Sequence, residues 1–155
     1  MIFKSNRLAY LEDIKDDPVI MKYLDESLLL NTTGYNKYTD EVLAKLKSMG
    51  YDVRKDDTYV RWYLNGKIHR VNGPAVEFAD GTREWWSNGK IHRVNGPAIE
   101  FADGTKHWYI NGEIHREDGP AVEIAVGNKY WWLNGLPKSE EEFNDIIQSG
   151  DIPRP

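Results

Sequence analysis

The sequence predicts an α+β protein: an elongated antiparallel meander of 23-residue β-hairpin repeats, with a small helical unit before it and a C-terminal capping helix after it. Three observations predict this class. Trp recurs at 62, 85, 108 and 131, a constant step of 23, and self-similarity at a fixed period marks stacked repeats. Asn-Gly at 65–66, 88–89, 111–112 and 134–135 and Gly-Pro-Ala at 73–75, 96–98 and 119–121 punctuate short runs rich in Trp, Tyr, Val, Ile and Phe, which read as strands. Helix signals lie only in the flanks. The chain thus divides into a mostly helical unit at 1–57, an array at 58–138 with three full repeats and a truncated fourth, and a helix with tail at 139–155.

In chain order, Asp17-Pro18 is an N-cap followed by Pro at the first helical position, and predicts a helix to about Leu29. A second helix fits Asp40–Met49, capped by Thr39 and stopped by Gly50, with Val42, Leu43, Leu46 and Met49 on one stripe. In the array, Ala-Asp-Gly-Thr at 79–82 and 102–105 predicts two-residue type I′ hairpins. The third copy has Val126-Gly127, and Val at positive φ is strained, so a different turn is expected there. Two-residue loops would set Val76 opposite Trp85 and Ala75 opposite Trp86. Alternation then puts Val76, Ile99, Val122, Phe78, Phe101, Ile124 and the first Trp of each pair on a core face. The other face receives Ala75, Ala98, Ala121, Glu77, Glu100, Glu123, and the row Tyr63, Trp86, Tyr109, Trp132 with Arg61, Glu84, His107 and Tyr130. Residues 67–70 read equally as a short strand across Asn65-Gly66 or as a loop. The last helix fits Glu140–Gln148, with Ser139 and Glu142 as a capping box and Phe143, Ile146 and Ile147 on its apolar side.

Composition excludes several classes. No Cys is present, so disulfides and thiolate metal sites are absent and a reducing cytoplasm is the expected setting. The stretch MIFKSNRLAYLEDIKDD is charged throughout, which argues against a signal peptide. No run reaches the ~18 apolar residues of a spanning helix. Net charge is −5, and the array is nearly balanced, with ten Lys/Arg against nine Asp/Glu at 58–138. Nucleic-acid binding needs clustered positive charge, so it is not expected.

The phrase HRVNGPA stands at 69–75 and 92–98, and HREDGPA at 115–121. A hydrolytic triad would need a nucleophile, and the repeats hold no Cys and only Ser87. A metal shared by His69, His92 and His115 is excluded by spacing: equivalent positions lie at least two strands, roughly 10 Å, apart, whereas metal–nitrogen bonds are about 2 Å. No metal and no cofactor are expected. A corner that the fold needs once per repeat accounts for the constant step, with Gly for the bend, Pro to start the next strand, and His and Arg as partners for the carbonyls the bend leaves unpaired.

The array resembles the MORN repeat in a divergent form. Trp85, Asn88, Gly89, Lys90, His92, Gly96, Asp103 and Gly104 match its usual positions. Arg61-Trp62-Tyr63 lacks the glycine between the aromatics, and Arg70, Arg93 and Arg116 replace the glycine after His. The fuller phrase W-[WY]-x-N-G-x-x-H-R-x-[ND]-G-P-A-[VI]-E is similar to a repeat of tailed bacteriophages and large DNA viruses. The resemblance covers about Tyr59–Phe143 and implies a stacked-hairpin scaffold or protein-binding module. It also implies a phage accessory protein in the host cytoplasm, inhibiting a host defence factor.

The expected function is therefore non-enzymatic protein binding. The candidate partner-binding residues are Arg61, Tyr63, Trp86, His107, Tyr109, Tyr130 and Trp132, since rows of Tyr and Trp beside charges bury large areas at low rotamer cost. The same row would equally serve to pack Leu24, Leu28, Leu43 and Leu46 of the N-terminal helices. Other readings are a small-ligand protein that sequesters a nucleotide signal with Arg61, Tyr63 and Trp86, and a structural virion or scaffold component. An enzyme using Asp16, Asp17, Asp25 and Glu26 is disfavoured, because such runs are ordinarily solvated helix surface.

Overall fold

The computed structural model describes Ala44, Lys47, Ser48, residues 50–70 and residues 73–152. The strands are β1 (Tyr51–Lys55), β2 (Tyr59–Leu64), β3 (Lys67–Ile68), β4 (Val76–Phe78), β5 (Arg83–Glu84), β6 (Trp86–Ser87) and β7 (Lys90–Ile91). They continue as β8 (Ile99–Glu100), β9 (Lys106–His107), β10 (Tyr109–Ile110), β11 (Glu113–Ile114), β12 (Val122–Glu123), β13 (Lys129–Leu133) and β14 (Leu136–Lys138). Helix α1 (Glu140–Ser149) follows. The architecture is an open antiparallel meander with a helix at its C-terminal end, in the order β1-β2-β4-β5-β8-β9-β12-β13-β14, and β3 pairs with β2.

Two ladders run side by side. The first contains β4, β5, β8, β9 and β12. The second consists of the hairpins β2–β3, β6–β7, β10–β11 and β13–β14. Each of these hairpins closes over Asn-Gly with both residues at positive φ, from Asn65 (51°) and Gly66 (79°) to Asn134 (49°) and Gly135 (74°). That is a type I′ turn, and Asn and Gly tolerate the left-handed region it needs. It settles the open question at 67–70: residues 67–68 are a strand across Asn65-Gly66. Successive hairpins are joined by Gly89 N–H to Ile68 O (2.8 Å), Gly112 N–H to Ile91 O (2.8 Å) and Gly135 N–H to Ile114 O (2.9 Å).

The Asp-Gly turns differ from the expectation. Phe78 N–H bonds Thr82 O at 2.8 Å and Gly81 N–H bonds Phe78 O at 3.0 Å, and only Gly81 has positive φ there (97°). This is a three-residue loop, a type I turn closed by a left-handed glycine. Asp80 Oδ1 accepts from Thr82 N–H at 2.7 Å, as Asp103 Oδ1 does from Thr105 N–H at 2.8 Å. The third copy adopts the same turn, with Ile124 N–H to Asn128 O and Gly127 N–H to Ile124 O both at 2.8 Å. Val126 fits because this position needs no positive φ.

The extra loop residue slips the register by one, which exchanges faces. Val76 opposes Glu84, not Trp85. One row therefore reads Arg61, Val76, Glu84, Ile99, His107, Val122, Tyr130 across the sheet. The opposite face carries the row Val60, Glu77, Arg83, Glu100, Lys106, Glu123, Lys129, in which acids face bases from Glu77 onward. Trp62, Trp85 and Trp108 bond through N–H to the carbonyls of Ala75, Ala98 and Ala121, each at 2.8 Å. The three alanines are wholly buried beside these larger rings. The valine row and the alanine row thus lie on the faces opposite to those expected from two-residue loops.

Among the described residues the first strand is β1 at Tyr51, inside the unit expected to be mostly helical through residue 57. β1 pairs along its whole length with β2, placing Val53 opposite Trp62. Ala44, Lys47 and Ser48 are helical and Gly50 forms a turn, its N–H bonded to Lys47 O at 3.1 Å. The helix expected from Pro18 to Leu29 and the stripe Val42, Leu43, Leu46 and Met49 lie outside the described residues. At the other end, Ser139 and Glu142 form the capping box, Gly150 takes the left-handed C-cap (φ 75°), and Phe143 is buried.

Candidate functional site

The phrase HRxxGPA is where the chain returns from the second ladder to the first. Each arginine lies over the tryptophan of its own repeat: Arg70 Cζ is 4.0 Å from the Trp62 ring centroid, Arg93 3.8 Å from Trp85, and Arg116 4.0 Å from Trp108. Each guanidinium donates to the proline carbonyl of its corner, Pro74 and Pro97 at 2.9 Å and Pro120 at 3.1 Å. Arg93 and Arg116 also pair with Glu100 (3.1 Å) and Glu123 (2.9 Å). The glycine of the phrase makes room for this cation: a Cβ on Gly96 would stand 3.0 Å from Arg93 Cζ, and one on Gly119 3.1 Å from Arg116 Cζ. Burial pushes Arg70 down to about 10, still charged at neutral pH.

The histidines do a different task from the expected bonding to carbonyls. Nδ1 of His69, His92 and His115 accepts the backbone N–H of Asn88, Asn111 and Asn134 at 3.0, 2.9 and 3.0 Å. Each staples its corner to the type I′ turn of the next repeat, and an accepting Nδ1 belongs to the neutral ring with its proton on Nε2. Among the described residues, no three His, Cys, Asp or Glu side chains converge as a metal would require.

The seven candidate partner-binding residues share one face. Arg61, His107 and Tyr130 belong to the valine row. Tyr63, Trp86, Tyr109 and Trp132 stand two residues further along the chain from Arg61, Glu84, His107 and Tyr130, in the second ladder. Side-chain contacts tie three of the four pairs: Arg61 Nη1 to Tyr63 Oη at 3.4 Å, Trp86 Nε1 to Glu84 Oε2 at 2.8 Å, and the His107 ring 6.4 Å from that of Tyr109. Arg61 also lies 4.4 Å over Tyr59, and Arg54 4.4 Å over Tyr63. Tyr130 is 49% exposed and the other six are half-buried. Burial lowers the His107 pKa and raises that of Tyr109, in both cases by disfavouring the charged form.

Two groups of neighbours were not anticipated. Ile68, Ile91 and Ile114 stand directly opposite Tyr63, Trp86 and Tyr109 across the Asn-Gly turns. The two-residue length of those loops was the signal for them. Phe101, expected in the core, is 37% exposed and sits edge-on to His107 at 5.0 Å. The register slip carried it to this face.

Fold and site together define an open array of stacked antiparallel β-hairpins with an aromatic face. Comparison of the chain with protein-family models, curated proteins and solved structures finds no match. No helix among the described residues is long and apolar enough to cross a membrane.

Proposed function

We propose that this chain is a non-enzymatic protein-binding module and that its partner seats on the aromatic face. One observation carries the reading. Tyr63, Trp86, Tyr109 and Trp132, interleaved with Ile68, Ile91 and Ile114, form one apolar row, with Phe101 and Tyr130 exposed beside it. Large amphipathic rings held by their neighbours lose little freedom when a partner covers them, which favours tight contact. The MORN-like resemblance extends the proposal to a divergent array of phage type, a small accessory protein that binds a host defence factor and blocks it.

The test is a quantitative pull-down from host extract with wild type and with the triple variant Trp86→Ala/Tyr109→Ala/Trp132→Ala, both checked for folding by thermal melts. A host protein retained by the wild type and lost with the folded variant is the expected result. Equal retention by both removes the aromatic face from the interface. A nucleotide at millimolar concentration that raises the melting temperature of the wild type and not of Trp86→Ala would favour the sequestering function instead.

A further inference from the structure

A groove of about 690 Å³ lies between the second and third corners, on the face opposite the aromatic row. Trp108 and Ile110 line it, with Arg93 and Val94 on one wall and Glu117 and Asp118 on the other. Its size suits a short ligand segment.

Its lining sets Arg93 and Arg116 against Glu117 and Asp118. Both guanidiniums are largely buried and already engaged, Arg93 with Glu100, which also holds Arg83 at 2.7 Å, and Arg116 with Glu123. His92 and His115 accept a backbone N–H at Nδ1. Glu117 and Asp118 are the charges of the groove that reach solvent. Each is engaged through one oxygen, Glu117 Oε1 with His115 Nε2 at 3.1 Å and Asp118 Oδ1 with Arg116 Nε at 2.6 Å. Their side chains are 56% and 84% exposed, and a carboxylate accepts several bonds.

The corner itself does not require these acids. Where the third corner has Glu-Asp, the first and second have Val-Asn. The bonds that make the corner are nonetheless the same: arginine to proline carbonyl at 2.9 Å in the second and 3.1 Å in the third, and histidine to the next turn at 2.9 and 3.0 Å. The seven-residue phrase departs from strict repetition at the wall of the groove. The apolar side chain on the facing wall, Val94, is 73% exposed.

We propose that this groove docks a basic segment of a protein partner, a Lys or Arg whose aliphatic stem lies along Val94, Trp108 and Ile110 and whose cation meets Glu117 and Asp118. Long cationic side chains present an apolar stem and a charged head in this way. An anionic segment is disfavoured, because both guanidiniums already hold carboxylates and the rim would repel it. This site is independent of the aromatic face.

The experiment is fluorescence anisotropy with a labelled peptide, acetyl-Gly-Leu-Lys-Leu-Arg-Gly-amide, and its counterpart with Glu in place of Lys and Arg. Glu117→Val/Asp118→Asn rewrites the third corner as the phrase the chain already folds twice, so it is expected to melt as the wild type does. The basic peptide binds, the acidic one does not, and the double variant weakens binding about tenfold, with added salt acting in the same direction. Val94→Glu/Asn95→Asp, the converse exchange, tightens it. Glu140→Gln/Glu141→Gln, which removes two exposed acids from α1, leaves it unchanged. Preference for the acidic peptide, failure of the basic one to bind, or equal weakening by both acid-removing variants overturns the proposal. The last result would mean that only the overall negative charge attracts the peptide.

Discussion

The two faces of the sheet differ in how their letters repeat. On one face, Trp, Arg, Ala and Glu recur in every full copy and satisfy one another: arginine on tryptophan, arginine to proline carbonyl, acid opposite base. On the other face Ile68, Ile91 and Ile114 are constant, but two sets of equivalent positions change from copy to copy, Arg61, Glu84, His107, Tyr130 in one and Tyr63, Trp86, Tyr109, Trp132 in the other. Their polar contacts run sideways within each strand, and Phe101 and Tyr130 reach solvent. A stacked array holds together through identical neighbour contacts. The constant letters therefore report the fold, and the varying letters are free to specify a partner.

Adjacent tryptophans break the comparison most directly if it is wrong. Trp85→Ala removes the platform under Arg93 and the large neighbour of the buried Ala98, and is expected to cost about 3 kcal/mol. Trp86→Ala removes a half-buried ring whose Nε1 bonds Glu84, and about 1 kcal/mol is expected. Urea unfolding of the two variants measures both. Equal costs would mean that the faces are not functionally distinct.

Arginine at the corner is the next largest effect. Arg93→Ala loses the stack on Trp85, the bond to Pro97 O and the pair with Glu100, about 2 kcal/mol in all. Arg93→Lys keeps the charge and loses the planar stack and fork, and should recover about half of that. If Lys restores full stability, the contact is a point charge and the corner needs no guanidinium.

The period, the Asn-Gly hairpins and the capping box of α1 were legible because each is a local rule with one backbone solution. The Asp-Gly turns were not. Asp-Gly serves both a two-residue type I′ loop and a three-residue loop with a left-handed glycine, and the choice moves every following side chain to the other face. Val126 in the third copy was the clue, since a β-branched residue is at ease only in the three-residue form. The candidate residues still fell together, because Arg61 with Tyr63 and His107 with Tyr109 are two apart along extended chain whatever the loop length. The groove was beyond reach of local patterns: its walls come from corners 23 residues apart.

The two turn types give a smaller, paired prediction. Gly89 has φ +80°, and its replacement by Ala strains a position that must stay left-handed, at about 1 kcal/mol. Val126→Asp should change stability by no more than about 0.5 kcal/mol, toward stabilisation, because it supplies the carboxylate that Asp80 and Asp103 already aim at the N–H two residues on. A melting temperature that falls with Val126→Asp would show that the third turn is built differently after all.

His107 offers the finest probe, since it is a histidine on the variable face. It stands between Ile99 and Val122 in its row and against the Phe101 ring, and burial holds its pKa below the ordinary value of 6.5. The unfolded chain therefore takes up a proton first as pH falls. Stability from this residue is present above about 6.5 and is lost as pH falls from there toward the native pKa. His107→Gln should remove that part of the slope. The measurement is unfolding by urea from pH 7.5 to 5 for the two proteins, with the native His107 followed by NMR. A partner that covers the aromatic face buries His107 further, so its affinity should weaken over the same pH range, and a pH-independent affinity would place the interface elsewhere.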